Sequence, residues 1–336
     1  MKWLLLALVC MLGWGFADLF YKKGSSDPED RLSHLKIAVW VGIVLGVSAF
    51  ILMPFAESGT SPRTLFVNAL RYSPASIGYI VSMIIGYAGL RYLELSIVSP
   101  VQNASGALSA IIMSVWFVLF SDNALSSISD ETGFSFGKVS GSALFNNIII
   151  VFGIISVVAG VISLAIVEKR LDNDQITQNN NKKYTKGALA LIFPLLYCLF
   201  DTLGTAADGI ILNEETGLSL GEIDVLVLYG LTFFAAGLCA WIFIFIKTGR
   251  PYNPFARSEL ARGTAAVCET FGQVFYVYAM AAKPVLAAPV VASYCIVSVL
   301  LSRVFMKEKL TKSQYACVFA VILGIVLLGI SEGLGA

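Results

Sequence analysis

Ala288 to Ile330 reads APVVASYCIVSVLLSRVFMKEKLTKSQYACVFAVILGIVLLGI, two apolar runs separated by a charged turn, Lys307 to Lys312. Each run suits a helix crossing a hydrocarbon core about 30 Å thick at about 1.5 Å per residue. The same pattern, apolar runs of roughly 18 to 25 residues divided by polar breaks, extends back to the start of the chain. Composition agrees. Of 336 residues, 57% are apolar and only 13% charged, where a soluble domain carries about 25%. A polytopic, all-α membrane protein follows.

Several function classes are excluded. A net charge of +1 gives no basic excess for a nucleic-acid partner. His34 is the only histidine and lies in a polar connection, so a His-rich metal site or a Ser-His-Asp triad is unexpected. Cys10, Cys198, Cys239, Cys268, Cys295 and Cys317 fall in or beside apolar runs without Cys-x-x-Cys spacing and read as small core residues. No catalytic residue, metal or cofactor is expected, and no Walker-type phosphate loop is present.

The pattern predicts ten transmembrane helices: Trp3 to Tyr21, Leu35 to Pro54, Ala75 to Leu93, Ser99 to Phe120, Asn147 to Val167, Gly187 to Leu212, Val225 to Ile246, Gly263 to Ala282, Leu286 to Phe305 and Tyr315 to Gly333. The first run lacks a small-x-small cleavage site, and Leu8-Val9-Cys10 lacks the small residue of a lipoprotein site, so the run reads as a membrane helix. A polar stretch, EKRLDNDQITQNNNKKYTK, occupies Glu168 to Lys186 and sets 1–167 apart from 187–336, five helices on each side. The halves resemble one another. An offset of 189 pairs Pro100 with Pro289, Tyr87 with Tyr276 and Ser109 with Ser298, an offset of 183 pairs Trp14-x-x-x-Asp18 with Tyr197-x-x-x-Asp201, and Gly160 matches Gly324. Because five is odd, two such halves enter the bilayer from opposite sides, as inverted repeats.

Charge orients this arrangement. The side holding Lys22 to Lys36, Arg91, Lys169 to Lys186, Lys247 to Arg262 and Arg303 to Lys312 carries 18 Lys and Arg. The other, with Lys2, Arg63, Arg71, Lys138 and Lys283, carries five. The positive-inside rule then puts the linker in the cytoplasm, both termini outside, and the loops Ser121 to Asn146 and Asn213 to Asp224 on the outer side.

Ala288 to Ile330 resembles the closing helix pair of EamA-type carriers in the drug/metabolite transporter superfamily. The shared features are Pro289, the turn Glu308-Lys309-Leu310-Thr311 and the Gly-bearing last helix; Trp14-Gly15 in the first helix is a second likeness. With two five-helix halves, the resemblance spans essentially the whole chain. In the first half Ser121 to Asn146 replaces the Glu-basic-Leu-Thr turn, and the family's commoner orientation has cytoplasmic termini. The resemblance implies secondary active transport of a small organic metabolite or drug-like solute by alternating access. A sugar or nucleoside-type carrier is the alternative within the superfamily, and an integral-membrane enzyme acting on a lipid-linked substrate is the alternative outside it.

An ionised side chain at the bilayer centre costs about 2.5 to 3.5 kcal/mol on insertion scales, which makes intramembrane acids functional candidates. Asp18 shares a helical stripe with Trp14 and Tyr21, Asp201 with Tyr197 and Asp208, and Glu269 with Gln273 and Tyr276. Two readings fit Asp18, an interfacial ion pair with Lys22 or a transport role; Asp208, nearer a helix end, reads as solvated. Tyr87, Tyr276, Tyr278 and Tyr294 suit either packing or a binding surface, and Arg91 with Glu94 reads as a solvated pair. Gln102, Asn103, Ser105 and Ser109 after Pro100, with Ser293, Tyr294 and Ser298 after Pro289, supply neutral donors and acceptors, for helix contacts or for a solute. Gly13, Gly15, Gly86, Gly89, Gly204, Gly272 and Gly324 permit close helix approach. The expected partners are a small-molecule solute, a proton or cation exchanged at Asp201 with Asp18 or Glu269, and the lipid of a plasma membrane; the protein is expected as a monomer or homodimer.

Overall fold

Each long apolar run folds as a helix, because in lipid the backbone has no other way to satisfy its own N–H and C=O groups. The computed structural model describes residues 2–25, 27, 30–90, 99, 102–120, 129, 132, 134–135, 141–178, 192–213, 220–306 and 311–335. Helices α1 (Lys2–Gly24), α2 (Ser33–Leu52), α3 (Pro62–Gly89), α4 (Ser105–Phe120) and α5 (Gly141–Gln178) form the first half. The second comprises α6 (Ile192–Leu212), α7 (Glu222–Thr248), α8 (Leu260–Ala282), α9 (Pro284–Ala292), α10 (Tyr294–Met306) and α11 (Lys312–Gly335). No strand occurs among the described residues. Six of the helical segments are long and apolar enough to cross a membrane by length and composition. Leu5, Leu12 and Phe16 of α1, Phe50 and Ile51 of α2 and Ile242 and Ile246 of α7 face outward, as a surface solvated by lipid tails requires.

Several boundaries differ from the sequence reading, each for a local reason. Helix α3 begins at Pro62, capped by the Ser61 hydroxyl, which accepts from the Thr64 N–H at 3.1 Å, well before the expected start at Ala75. It runs through Pro74, whose missing N–H would leave the Leu70 carbonyl bare; the Ser73 hydroxyl donates to that carbonyl at 2.8 Å. Helix α5 is 38 residues long, so the polar stretch after Val167 starts as a continuation of the helix. The expected span Leu286 to Phe305 is one membrane-length apolar segment, Pro284–Phe305, broken into two helices. Pro289 cannot donate backward, a turn forms at Ser293, and the Ser293 hydroxyl donates to the Pro289 carbonyl at 2.9 Å. A turn also interrupts the helical backbone at Ala104, 189 positions before Ser293. Residues 187–191, Arg91 with Glu94, Pro100, and Glu308 to Leu310 lie outside the described residues.

Packing runs across the halves: α1 lies against α8, α2 against α7, α3 against α6, α4 against α9 and α5 against α11. Glycines set these distances. A Cβ on Gly42 would stand 2.9 Å from the Gly237 Cα, and one on Gly78 would stand 3.0 Å from the Gly204 Cα, so the α2–α7 and α3–α6 backbones nearly touch.

Polar clasps hold the two ends of the α2–α7 pair. At one end the Asp224 carboxylate accepts from the Ser58 N–H at 2.7 Å, and the Ser58 hydroxyl accepts from Asn68 at 3.0 Å. At the other, the Arg262 guanidinium bridges Asp30, at 2.8 Å, and Glu259; Lys36 meets Asp30 at 2.9 Å and Tyr252 donates to Glu259 at 2.8 Å. Burial alone would raise the Asp30 carboxyl, but the Lys36 hydrogen bond and charge and the Arg262 charge outweigh it and hold the carboxyl below its usual range.

Arg262→Ala is expected to lower stability by about 1 to 3 kcal/mol, as read by denaturant unfolding in detergent, since it leaves Glu259 with only the Tyr252 hydroxyl while Asp30 keeps Lys36. A depressed folded-state value means that Asp30 stabilises the fold above the ordinary carboxylate range and loses that contribution as pH falls through the folded value. The wild-type melting temperature should therefore drop on acidification below about pH 4, and Asp30→Asn should flatten that drop.

Candidate functional site

One cavity of about 800 Å³, its opening included, lies among α1, α3, α4, α6, α7, α8, α9 and α10. Ten of the residues singled out from the sequence as candidates for binding line it: Trp14, Asp18, Gln102, Asn103, Tyr197, Asp201, Glu269, Gln273, Tyr276 and Tyr294. Helical spacing explains the convergence. On α1, Ala7, Cys10, Trp14, Ala17, Asp18 and Tyr21 recur every three or four positions on the face turned to α8 and α10. The turn at Ser293 brings Ala292 and Tyr294 to the wall.

The acids are held by hydroxyls. Asp18 accepts from Ser99 at 2.7 Å and Ser298 at 2.8 Å, while the Lys22 ammonium donates to the Leu90 carbonyl at 2.9 Å. Asp201 accepts from Ser105 at 2.6 Å. The crossing is reciprocal: the acid on α1 meets a serine of α10, and the acid on α6 meets a serine of α4. Glu269 Oε2 accepts from Tyr21 and from Tyr87, the latter at 3.1 Å, and its backbone carbonyl accepts from the Trp14 indole at 3.2 Å. Three further atoms of the lining, Glu269 Oε1, Gln102 Nε2 and Gln273 Nε2, are buried without a hydrogen-bond partner among the described residues. Each is a polar group left for a ligand or water to satisfy.

Aromatic rings fill most of the remaining wall. Trp14 lies against Tyr276 at 5.1 Å and edge-on to Tyr294 at 5.6 Å, and Tyr21 lies against Tyr87 at 5.0 Å. Two of the glycines expected to aid helix approach also make room for rings. A Cβ at Gly272 would collide with the Trp14 indole, and one at Gly86 with the Tyr197 ring. Tyr278, by contrast, is 37% exposed on the outside of the bundle.

Sequence reasoning missed part of the site. Tyr79 and Tyr229 line the cavity and were not singled out; the spacing of Tyr72, Tyr79 and Tyr87 by seven and eight residues along α3 was the legible signal, and Tyr229 had none. Asp208, read as solvated, is 0% exposed. It sits behind the wall and accepts from the Tyr79 hydroxyl at 3.0 Å, which in turn lies 2.6 Å from the Tyr276 hydroxyl. Having one proton, Tyr79 donates to Asp208 and accepts from Tyr276. Past Asp208, Gly209 is packed tightly by Met113, Met280 and Pro284. Among the described residues no group of three or more His, Cys, Asp or Glu could hold a metal ion.

Fold and site together define a helical membrane protein with an acidic, aromatic cavity enclosed by helices of both halves. Residues 216–330, from just before α7 to within α11, match the model of the EamA-like transporter family, bearing out the resemblance carried by Ala288 to Ile330. A solved structure, described only as the crystal structure of a protein, is similar over 97% of this chain and 96% of its own at 13% identity, with a TM-score of 0.51; that likeness concerns the fold. No curated protein matches the chain.

Tyr79→Phe should destabilise the protein by about 1 to 3 kcal/mol by stripping Asp208 of its hydroxyl. Tyr276→Phe, which leaves the Tyr79–Asp208 bond in place, should cost less. Equal losses in unfolding measurements would contradict this ordering.

Proposed function

We propose that the protein is a secondary active transporter, and not an enzyme, that carries a small organic solute across the plasma membrane by alternating access. The observation that carries the reading is the convergence of these ten candidate residues, drawn from both halves, on one cavity within the bundle. An enzyme for lipid-linked substrates would place its acids at the headgroup level, whereas Asp18, Asp201 and Glu269 sit inside the bundle.

In this reading the chain is ten membrane spans in two inverted repeats, with 1–167 and 187–336 as the repeats, α9 with α10 as one broken span, and the stretch between them as a cytoplasmic linker. The principal pairings support it: exchanging the halves turns α1·α8 into α6·α3 and returns α2·α7, α4·α9 and α5·α11 to themselves. The turns at Ala104 and Ser293 stand at the same offset as Pro100 and Pro289. Rocking one half against the other would alternately expose the cavity, and the tight packing of Gly209 fits closure past Asp208. The termini face the exterior, following the distribution of Lys and Arg.

Asp201, with Asp18 or Glu269, exchanges a proton for the solute, because removal from water penalises a carboxylate unless a positive charge or proton accompanies it. Asp201→Asn keeps size and hydrogen bonding while removing titration. Protein reconstituted in sealed vesicles should take up solute against its gradient when a pH gradient is imposed, and the Asn variant should be folded but indifferent to pH. Unchanged pH dependence in that variant would overturn the coupling role. A C-terminal reporter active only in the cytoplasm should stay silent in cells; strong signal would reverse the orientation.

A further inference from the structure

We propose that the cargo of this cavity is an organic cation, an ammonium on an apolar or aromatic body that also carries a neutral hydrogen-bond acceptor. The inference deepens the transport reading and rests on it for the word cargo, though not for binding. Three carboxyl side chains, Asp18, Asp201 and Glu269, line the cavity, and among the described residues of the lining none is Lys, Arg or His. Two cations close to the site in the chain have partners outside its acids: Lys22, next to Tyr21, donates to the Leu90 carbonyl at 2.9 Å, and Arg262 is engaged by Asp30 and Glu259 in the polar clasp. Each cavity acid is held only by neutral hydroxyls in the described structure. Anionic solutes would meet this set with their own charge, and no group in the described lining would compensate them.

The unsatisfied atoms add detail. Glu269 Oε1 is an acceptor without a donor, which an ammonium N–H supplies. Gln102 Nε2 and Gln273 Nε2 are donors without acceptors, which a hydroxyl, ether or carbonyl on the same solute supplies. Around them stand the rings of Trp14, Tyr276 and Tyr294, whose negative faces attract a cation and whose area receives an apolar body. A neutral polyol would satisfy the amides and the carboxyl hydrogen bonds, but it would bring no charge to the acids and gain nothing from the ring faces beyond stacking.

Binding to purified protein in detergent tests the charge directly with matched skeletons: tyramine, tyrosol and 4-hydroxyphenylacetate as one set, and 6-aminohexanol, 1,6-hexanediol and 6-hydroxyhexanoate as another. Calorimetric titration near neutral pH should rank amine above alcohol above acid in at least one set. Glu269→Gln should weaken amine binding by about thirtyfold or more and alcohol binding far less, so that the amine loses its lead. Asp18→Asn provides a second variant should the first not fold, and the wild-type ranking needs no variant at all. Alcohol or acid binding as tightly as amine, or no amine binding at millimolar concentration, overturns the proposal. Vesicle flux separates it from the transport reading: amine binding without flux sinks transport and upholds the ligand class, while flux of a neutral solute by a protein that does not bind amines does the reverse.

Discussion

Carboxyl groups taken out of water set the terms for the centre of this molecule. A buried carboxylate costs several kcal/mol unless it is compensated, and here Asp18, Asp201 and Glu269 are given hydroxyls in place of cations. Hydroxyls can donate, but they do not neutralise. The hydrogen bonds keep the acids in place without pairing them with a cation among the described residues. The site therefore draws on many elements, because serines and tyrosines from α3, α4, α10 and α1 itself must reach acids on α1, α6 and α8.

That demand is met by pairing helices across the halves. Because α1 packs on α8 and α3 on α6, the glycine contacts that bring these backbones together also bring Trp14 over the α8 backbone and Tyr79 to Asp208. Small residues and hydrogen bonds do this work in a membrane, where lipid tails compete with apolar side chains on equal terms. The charged clasps stay at the helix ends, where Asp30, Lys36, Glu259 and Arg262 meet the aqueous boundary. Among the described residues the ion pairs lie at helix ends, and the acids of the cavity are held by hydroxyls.

The polar content of α3 and α8 illustrates the same division. Neither is among the six segments apolar enough to stand out as a span, and the residues that lower their hydropathy include those in the site: Tyr79 and Tyr87 on one, Glu269, Gln273 and Tyr276 on the other. Their amphipathic pattern is a record of the cavity.

The amino-acid sequence by itself determined the class, the apolar runs, the polar division near Glu168 and the short set of acids and aromatics, because hydropathy and helical periodicity are local properties. It also carried the broken-helix signal at Pro289, though the turn itself falls four residues later, where the backbone can resatisfy its hydrogen bonds. Only the tertiary structure decided that Asp18 answers to Ser298, 280 positions away, and that Asp208 lies buried behind Tyr79. Depth along a helix can be read from residue number, but what stands opposite a side chain depends on which helix crosses there and how closely, and that is fixed by glycine contacts between segments far apart in the chain.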